Sequence, residues 1–187
     1  MVADTLKSAS ITALDLLPVL RPDTGEGAPN MDKSVGDFVT VTTGGLASTS
    51  SLYNMVRVPS NCKLKGLALT TSTALDTNGT ITLAFNVGAY YSDASTTTNS
   101  VLDGTPPSLA GTLISATAFA SAQLAGARQS SASVLTNFPM SKRNKPLWSA
   151  LALASDPGGY IDIVVAVQAV AATAAAGELG LEARFSM

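Results

Sequence analysis

Histidine is missing from all 187 residues, and Cys62 is the single cysteine. Without an imidazole the chain lacks the usual general base at neutral pH and the usual zinc ligand, and one thiol cannot close an internal disulfide. Charged residues make up 13% of the chain, about half the usual share, and aromatics 5%. The net charge of -2 leaves no basic stripe of the kind that displaces counterions from a phosphate backbone, so no nucleic acid is expected as partner. The one local cluster, Lys142, Arg143 and Lys145, has no interleaved aromatics and reads as a solvated loop. Long apolar runs are missing too. Ile163 to Ala176 is interrupted by Gln168 and Thr173 and falls short of the ~20 residues a spanning helix needs, so no membrane is expected. Met1 to Ser10 carries Asp4 and Lys7 and no apolar stretch behind a basic start, which predicts no signal peptide and synthesis in the cytoplasm.

What the chain does contain is short alternating segments rich in Ala, Ser and Thr. Residues 1–36 hold no sustained period and are expected to form an extended N-terminal arm. Within it Leu14, Leu16, Leu17, Val19 and Leu20 crowd around Pro18 and point to partner binding, because a solvated tail has no use for them. Residues 37–187 read as one β-domain. Phe38 to Thr43 is β-branched and ends at Gly44-Gly45; Ser51 to Val58 alternates Leu52, Asn54, Val56 and Val58 against Tyr53, Met55 and Arg57. Cys62 to Ala74 reads as a strand, Asp76 to Gly79 as a tight turn, and Thr80 to Tyr90 as a half-buried strand with Ile81, Leu83, Phe85 and Val87 inward. Asn78-Gly79-Thr80 has the form of a glycosylation sequon but suits a turn better. Thr112 to Ser115 predicts a short strand, Ala118 to Ala122 a helical turn, and Gln129 to Leu135 an edge segment.

Further on, Pro146 opens a helical turn with Leu147, Trp148 and Leu151 inward. Tyr160 to Ala172 is apolar on both faces, as a central or doubly covered strand would be, whereas Leu179, Leu181, Ala183 and Phe185 alternate with Glu178, Gly180, Glu182 and Arg184. These last two segments look like a hairpin. The expected fold is all-β: a β-sandwich, jelly-roll-like, with the extended arm in front.

Candidates for chemistry are few. Cys62 beside Lys63 reads as a buried small residue rather than a nucleophile. A terminal hairpin would bring Asp162 near Glu178 or Glu182, a possible acid pair for glycoside cleavage, yet polar strand faces put charge there anyway. Asp76, Asn78 and Asp103 form no full calcium set and read as turn residues. A carbohydrate-binding or adhesin module would need an aromatic platform, for which Tyr53, Tyr90, Tyr91 and Trp148 are the candidates. No catalytic residue, metal or cofactor is expected.

Two segments carry a resemblance. Tyr53-Asn54-Met55-Val56-Arg57-Val58-Pro59-Ser60-Asn61-Cys62-Lys63 is similar to a Y-R-x-(V/I)-R-V-P-S-N-A-(R/K) stretch of small virion structural proteins of tailed bacteriophages, the capsid decoration or cement type. Lys145-Pro146-Leu147-Trp148-Ser149-Ala150-Leu151-Ala152-Leu153-Ala154-Ser155-Asp156-Pro157 resembles their K-P-L-W-x-x-L-G-L-x-x-D-P stretch. Asn54, Cys62 and Ala152 depart from that pattern, which has Arg, Ala and Gly there. The resemblance implies a subunit of the virion that binds the outer surface of the major capsid protein lattice. Its partners would be that protein and further copies of itself, as a homotrimer or other homo-oligomer. A tail or head–tail connector component is the alternative within virions. Sparse charge fits either, since neighbours would cover much of the surface.

Overall fold

The computed structural model describes residues 5–8, 11–12, 32–92, 112–124, 127 and 132–187. The elements with bounds among the described residues are, in order, β1 (Thr5–Lys7), β2 (Lys33–Val41), α1 (Thr43–Leu46), β3 (Leu52–Pro59), β4 (Lys63–Thr71), β5 (Ala84–Tyr91), β6 (Leu113–Leu124), β7 (Ala132–Ser133), α2 (Met140–Arg143), α3 (Leu147–Ala150), β8 (Tyr160–Ala169) and β9 (Gly177–Ser186). They make two sheets, ordered β1-β3-β8-β5-β6 and β2-β9-β4-β7. The expected all-β sandwich is the fold observed.

The core lies between the sheets and follows from strand period. Leu179, Leu181, Ala183 and Phe185 of β9 face inward with Val39 and Val41 of β2 and Leu64, Leu67 and Leu69 of β4. They meet Val56, Val58, Ile161, Ile163, Val165, Phe85 and Val87 from the five-stranded sheet. Alternating apolar residues on a pleated strand put one whole set on one side, which is why β9 could be read residue by residue.

Consecutive strands mostly do not pair. Among the described elements, β5 and β6 are the one hydrogen-bonded couple adjacent in sequence; every other step from β1 to β9 crosses from one sheet to the other. This corrects the hairpin expected of the last two strands. β8 lies between β3 and β5, and β9 lies in the other sheet between β2 and β4. Both faces of β8 are apolar because it is central in a sheet whose outer face is also covered. Gly44-Gly45 likewise makes no hairpin. Thr42 caps α1 by accepting from the Gly45 N–H at 3.0 Å, and that turn carries the chain across to β3.

Three further expectations shift. Strand β2 begins at Lys33, four residues before the sandwich was expected to start, and β1 runs parallel to β3 with Thr5 opposite Leu52. Ala118 to Ala122 is not helical but the middle of β6, whose pairing with β5 slips several times; Ala122 takes φ 50° there and donates its N–H to Asn86 Oδ1 at 3.0 Å. A bulge between Asn54 and Val56 re-phases β3, so Tyr53, Val56 and Val58 reach the core while Asn54 and Arg57 share the opposite face.

Candidate functional site

The two segments that carry the resemblance fold into one corner. β3 ends at Pro59, and the turn after it is closed by the Cys62 N–H to the Pro59 carbonyl at 3.2 Å. Helix α3 sits on that turn: Leu147 N–H donates to the Cys62 carbonyl at 2.7 Å and Trp148 N–H to the Ser60 carbonyl at 3.0 Å. Ser60 also donates its hydroxyl to Asp156 Oδ1 at 2.6 Å, and its N–H to the Gly159 carbonyl at 3.0 Å. Asp156 Oδ1 accepts the Gly158 N–H as well, shaping a turn in which Gly158 and Gly159 hold φ 71° and 72°. Only glycine takes such angles without cost.

Helix α3 ends in a double-bonded left-handed cap. Ala152 N–H donates to the Ser149 carbonyl and Leu153 N–H to the Trp148 carbonyl, both at 3.1 Å, around an Ala152 φ of 61°. Ala152 stands where the resembled motif carries Gly. The backbone explains the motif, and the Ala pays a steric penalty at this position. Leu147 is buried, Trp148 and Leu151 half-buried.

The basic residues next to this corner serve local packing. Arg143 Nε donates to the Phe138 carbonyl at 3.2 Å, and Lys142 Nζ lies 5.8 Å from the centre of the Phe138 ring, with Lys145 exposed. Cys62 is buried, and burial pushes its thiol up to about 12 against a smaller opposing backbone hydrogen bond, so at neutral pH it is a small apolar residue.

The carboxylates anticipated as an acid pair are kept apart by the sheet order. Glu178 and Glu182 lie on β9, Asp162 on β8 in the other sheet. Asp162 is 1% exposed and holds Arg57, its cross-strand partner, through two contacts: Nε to Oδ1 at 2.6 Å and Nη2 to Oδ2 at 3.0 Å. Asn54 Nδ2 adds a third bond to Oδ2 at 2.8 Å. Glu182 accepts instead from the Ser34 hydroxyl and from Arg184, which together hold its carboxyl below the usual range. A forked guanidinium on a carboxylate satisfies both charges inside the protein.

Asp76 is a structural hub. Burial disfavours its ionised form, but backbone N–H groups of Thr82, Thr173, Asn78 and Leu83 outweigh that and hold the carboxyl far below the usual range. Thr82 and Leu83 reach Oδ2 at 2.9 and 3.2 Å, Ala172 reaches Oδ2 at 3.3 Å, and Thr173 and Asn78 reach Oδ1 at 3.1 and 3.2 Å. One carboxylate thus ties the crossing before β5 to the crossing before β9. Its oxygens face N–H donors, a poor arrangement for a cation, and the Asn78 side chain accepts from Gly79. Asp103 lies outside the described residues.

The aromatic candidates make no platform. Tyr53 is fully buried, and Tyr90 is nearly so, its phenol raised by burial; Tyr91 is half-buried. The exposed rings are Phe38 of β2 and Tyr160 of β8, on different sheets. Leu14, Leu16, Leu17, Val19 and Leu20 lie outside the described residues. Of the arm around them, Ile11 is fully buried and Ser8 donates its N–H to the Asn54 carbonyl at 2.9 Å, so its first twelve residues include contacts with the sandwich.

Sequence reasoning missed the Arg57–Asp162 pair and the Asp76 hub. The first left a signal: one Arg and one Asp, each inside a largely apolar strand. The second left none, because its donors, the Thr82 hydroxyl apart, are backbone groups.

No protein-family model and no curated protein matches the chain. Two solved structures match its fold. One is a chain of the cyanophage Pam1 capsid asymmetric unit, 24% identical over 86% of this chain and 88% of that one, with a TM-score of 0.54. The other is a chain of the capsid of Ralstonia phage GP4, 14% identical over 97% of both, with a TM-score of 0.63. At these identities the likeness is one of fold.

Proposed function

We propose that this chain is a structural protein of a phage virion, a capsid decoration or cement subunit that binds the outer surface of the major capsid lattice. The observation that carries the reading is the end-to-end match in fold to a chain of a phage capsid, covering 97% of each. The order of β2 to β9, in which the chain passes repeatedly between the sheets, we read as a jelly roll, a fold used in capsids. The corner built by Tyr53–Lys63 and Lys145–Pro157 supports the same reading, since the resembled motifs are what shape it.

On this proposal the protein works by binding, without catalysis. It associates with copies of itself, as a homotrimer or other homo-oligomer, and docks through Leu14, Leu16, Leu17, Val19 and Leu20. Many weak contacts repeated over a lattice add through effective concentration, and each Å² of apolar surface buried contributes about 25 cal/mol. Replacing Leu16 and Leu17 by Ser tests the arm while leaving Ser8 and Ile11 in place. The expected result is a folded protein with reduced occupancy on isolated heads; undiminished occupancy removes the arm from the proposal. Cryo-electron microscopy of the particle tests the location. Density on the outside of the shell is expected, and density at a vertex or tail would replace this reading by the connector one.

A further inference from the structure

We infer that Asn78 is a self-modification site, at which the protein converts its own side-chain amide into aspartate and isoaspartate through a cyclic imide. Asn78-Gly79 is the single Asn-Gly step in the chain. Both residues are exposed, on the loop between β4 and β5. The Gly79 N–H donates to Asn78 Oδ1 at 3.0 Å, which folds the side-chain amide back beside the nitrogen that must act. Nothing lies within 4 Å of where a Gly79 Cβ would be, and the missing side chain leaves the approach open.

The chemistry closes with solvent water alone. The Gly79 nitrogen attacks Asn78 Cγ, its proton passes to water, and the carbonyl re-forms by expelling the side-chain nitrogen as ammonia. A five-membered imide results. Water then adds to either imide carbonyl and breaks that C–N bond, giving aspartate if the side-chain carbonyl is opened and isoaspartate if the main-chain one is. The sum is asparagine plus water to a carboxylate and ammonia, with no oxidant or reductant.

The position matters because the loop is held on both sides. Asp76 accepts from Asn78 N–H at 3.2 Å and from Thr82 N–H at 2.9 Å. Isoaspartate inserts a methylene into the main chain between these two anchors and so lengthens the segment that the hub's bonds close. Ageing at Asn78 is thereby coupled to the stability of the crossing that Asp76 secures. This inference is independent of the virion reading.

The test is peptide mapping by mass spectrometry of the intact protein, incubated folded at mildly alkaline pH. The fragment carrying Asn78 is expected to gain one dalton and split into two chromatographic forms, one of them a substrate for an isoaspartyl methyltransferase. Gly79→Ala, which the open space around Gly79 accommodates, is expected to slow conversion several-fold. The inference is overturned if folded protein stays unmodified at Asn78 while urea-unfolded chain at the same pH converts. It is equally overturned if Gly79→Ala converts as fast as the parent.

Discussion

At Ala152 the backbone holds a left-handed angle that a methyl group resists, and the cap bonds around it fix the residue there. Ala152→Gly is therefore expected to stabilise the protein by about 1 kcal/mol, read as a higher urea midpoint with unchanged slope. Asp76 behaves in the opposite sense. Removing its carboxylate leaves several backbone donors without their acceptor, so Asp76→Ala should cost about 3 kcal/mol in the same measurement. The pH dependence follows from the lowered folded value. The contribution of Asp76 is complete above the unfolded carboxylate's pKa, about 3.9, and fades as pH falls below it towards the folded value. Asp76→Asn should flatten the stability profile of acid titrations in that window. Cys62 titrates on the alkaline side, where a thiol raised to about 12 favours the folded state below the unfolded thiol's pKa and loses that advantage as pH rises beyond it. Native protein should resist thiol reagents at pH near 8, and unfolded protein should react at once; fast native labelling would contradict the burial.

At the scale of elements, β3 and β8 carry a buried ion pair set by the sheet's own register, Arg57 opposite Asp162. Truncating either partner strands the other charge, and Arg57→Ala or Asp162→Ala should each cost about 3–5 kcal/mol by chemical denaturation. The paired change Arg57→Met with Asp162→Leu should recover most of that loss; a double variant as unstable as the singles would show that packing, not charge, is at stake. These strands also mark how far periodicity carries. β9 was legible because each residue obeys the pleat, and α3 because Pro146 opens it. β3 was misphased because a bulge at Met55 leaves no compositional trace. β6 looked partly helical because Ala, Ser and Thr suit either state, and its pairing to β5 decides the matter.

For the whole molecule, two sheets were readable from alternating segments, whereas their membership was not. A short turn-like stretch such as 170–176 serves equally to reverse a chain within a sheet or to lead it across, and tertiary contacts, here the five N–H groups on Asp76, choose between them. The acid pair Asp162 with Glu178 or Glu182 failed for that reason alone. Placement of β9 between β2 and β4 has a temporal consequence. Strand β9 is made after the other described strands yet is the spine on which β2 must assemble, so the four-stranded layer stays open until Gly177–Ser186 has emerged. Folding should be slow for the size of the domain, and a nascent chain stalled before Gly177 should remain protease-sensitive along its exposed length.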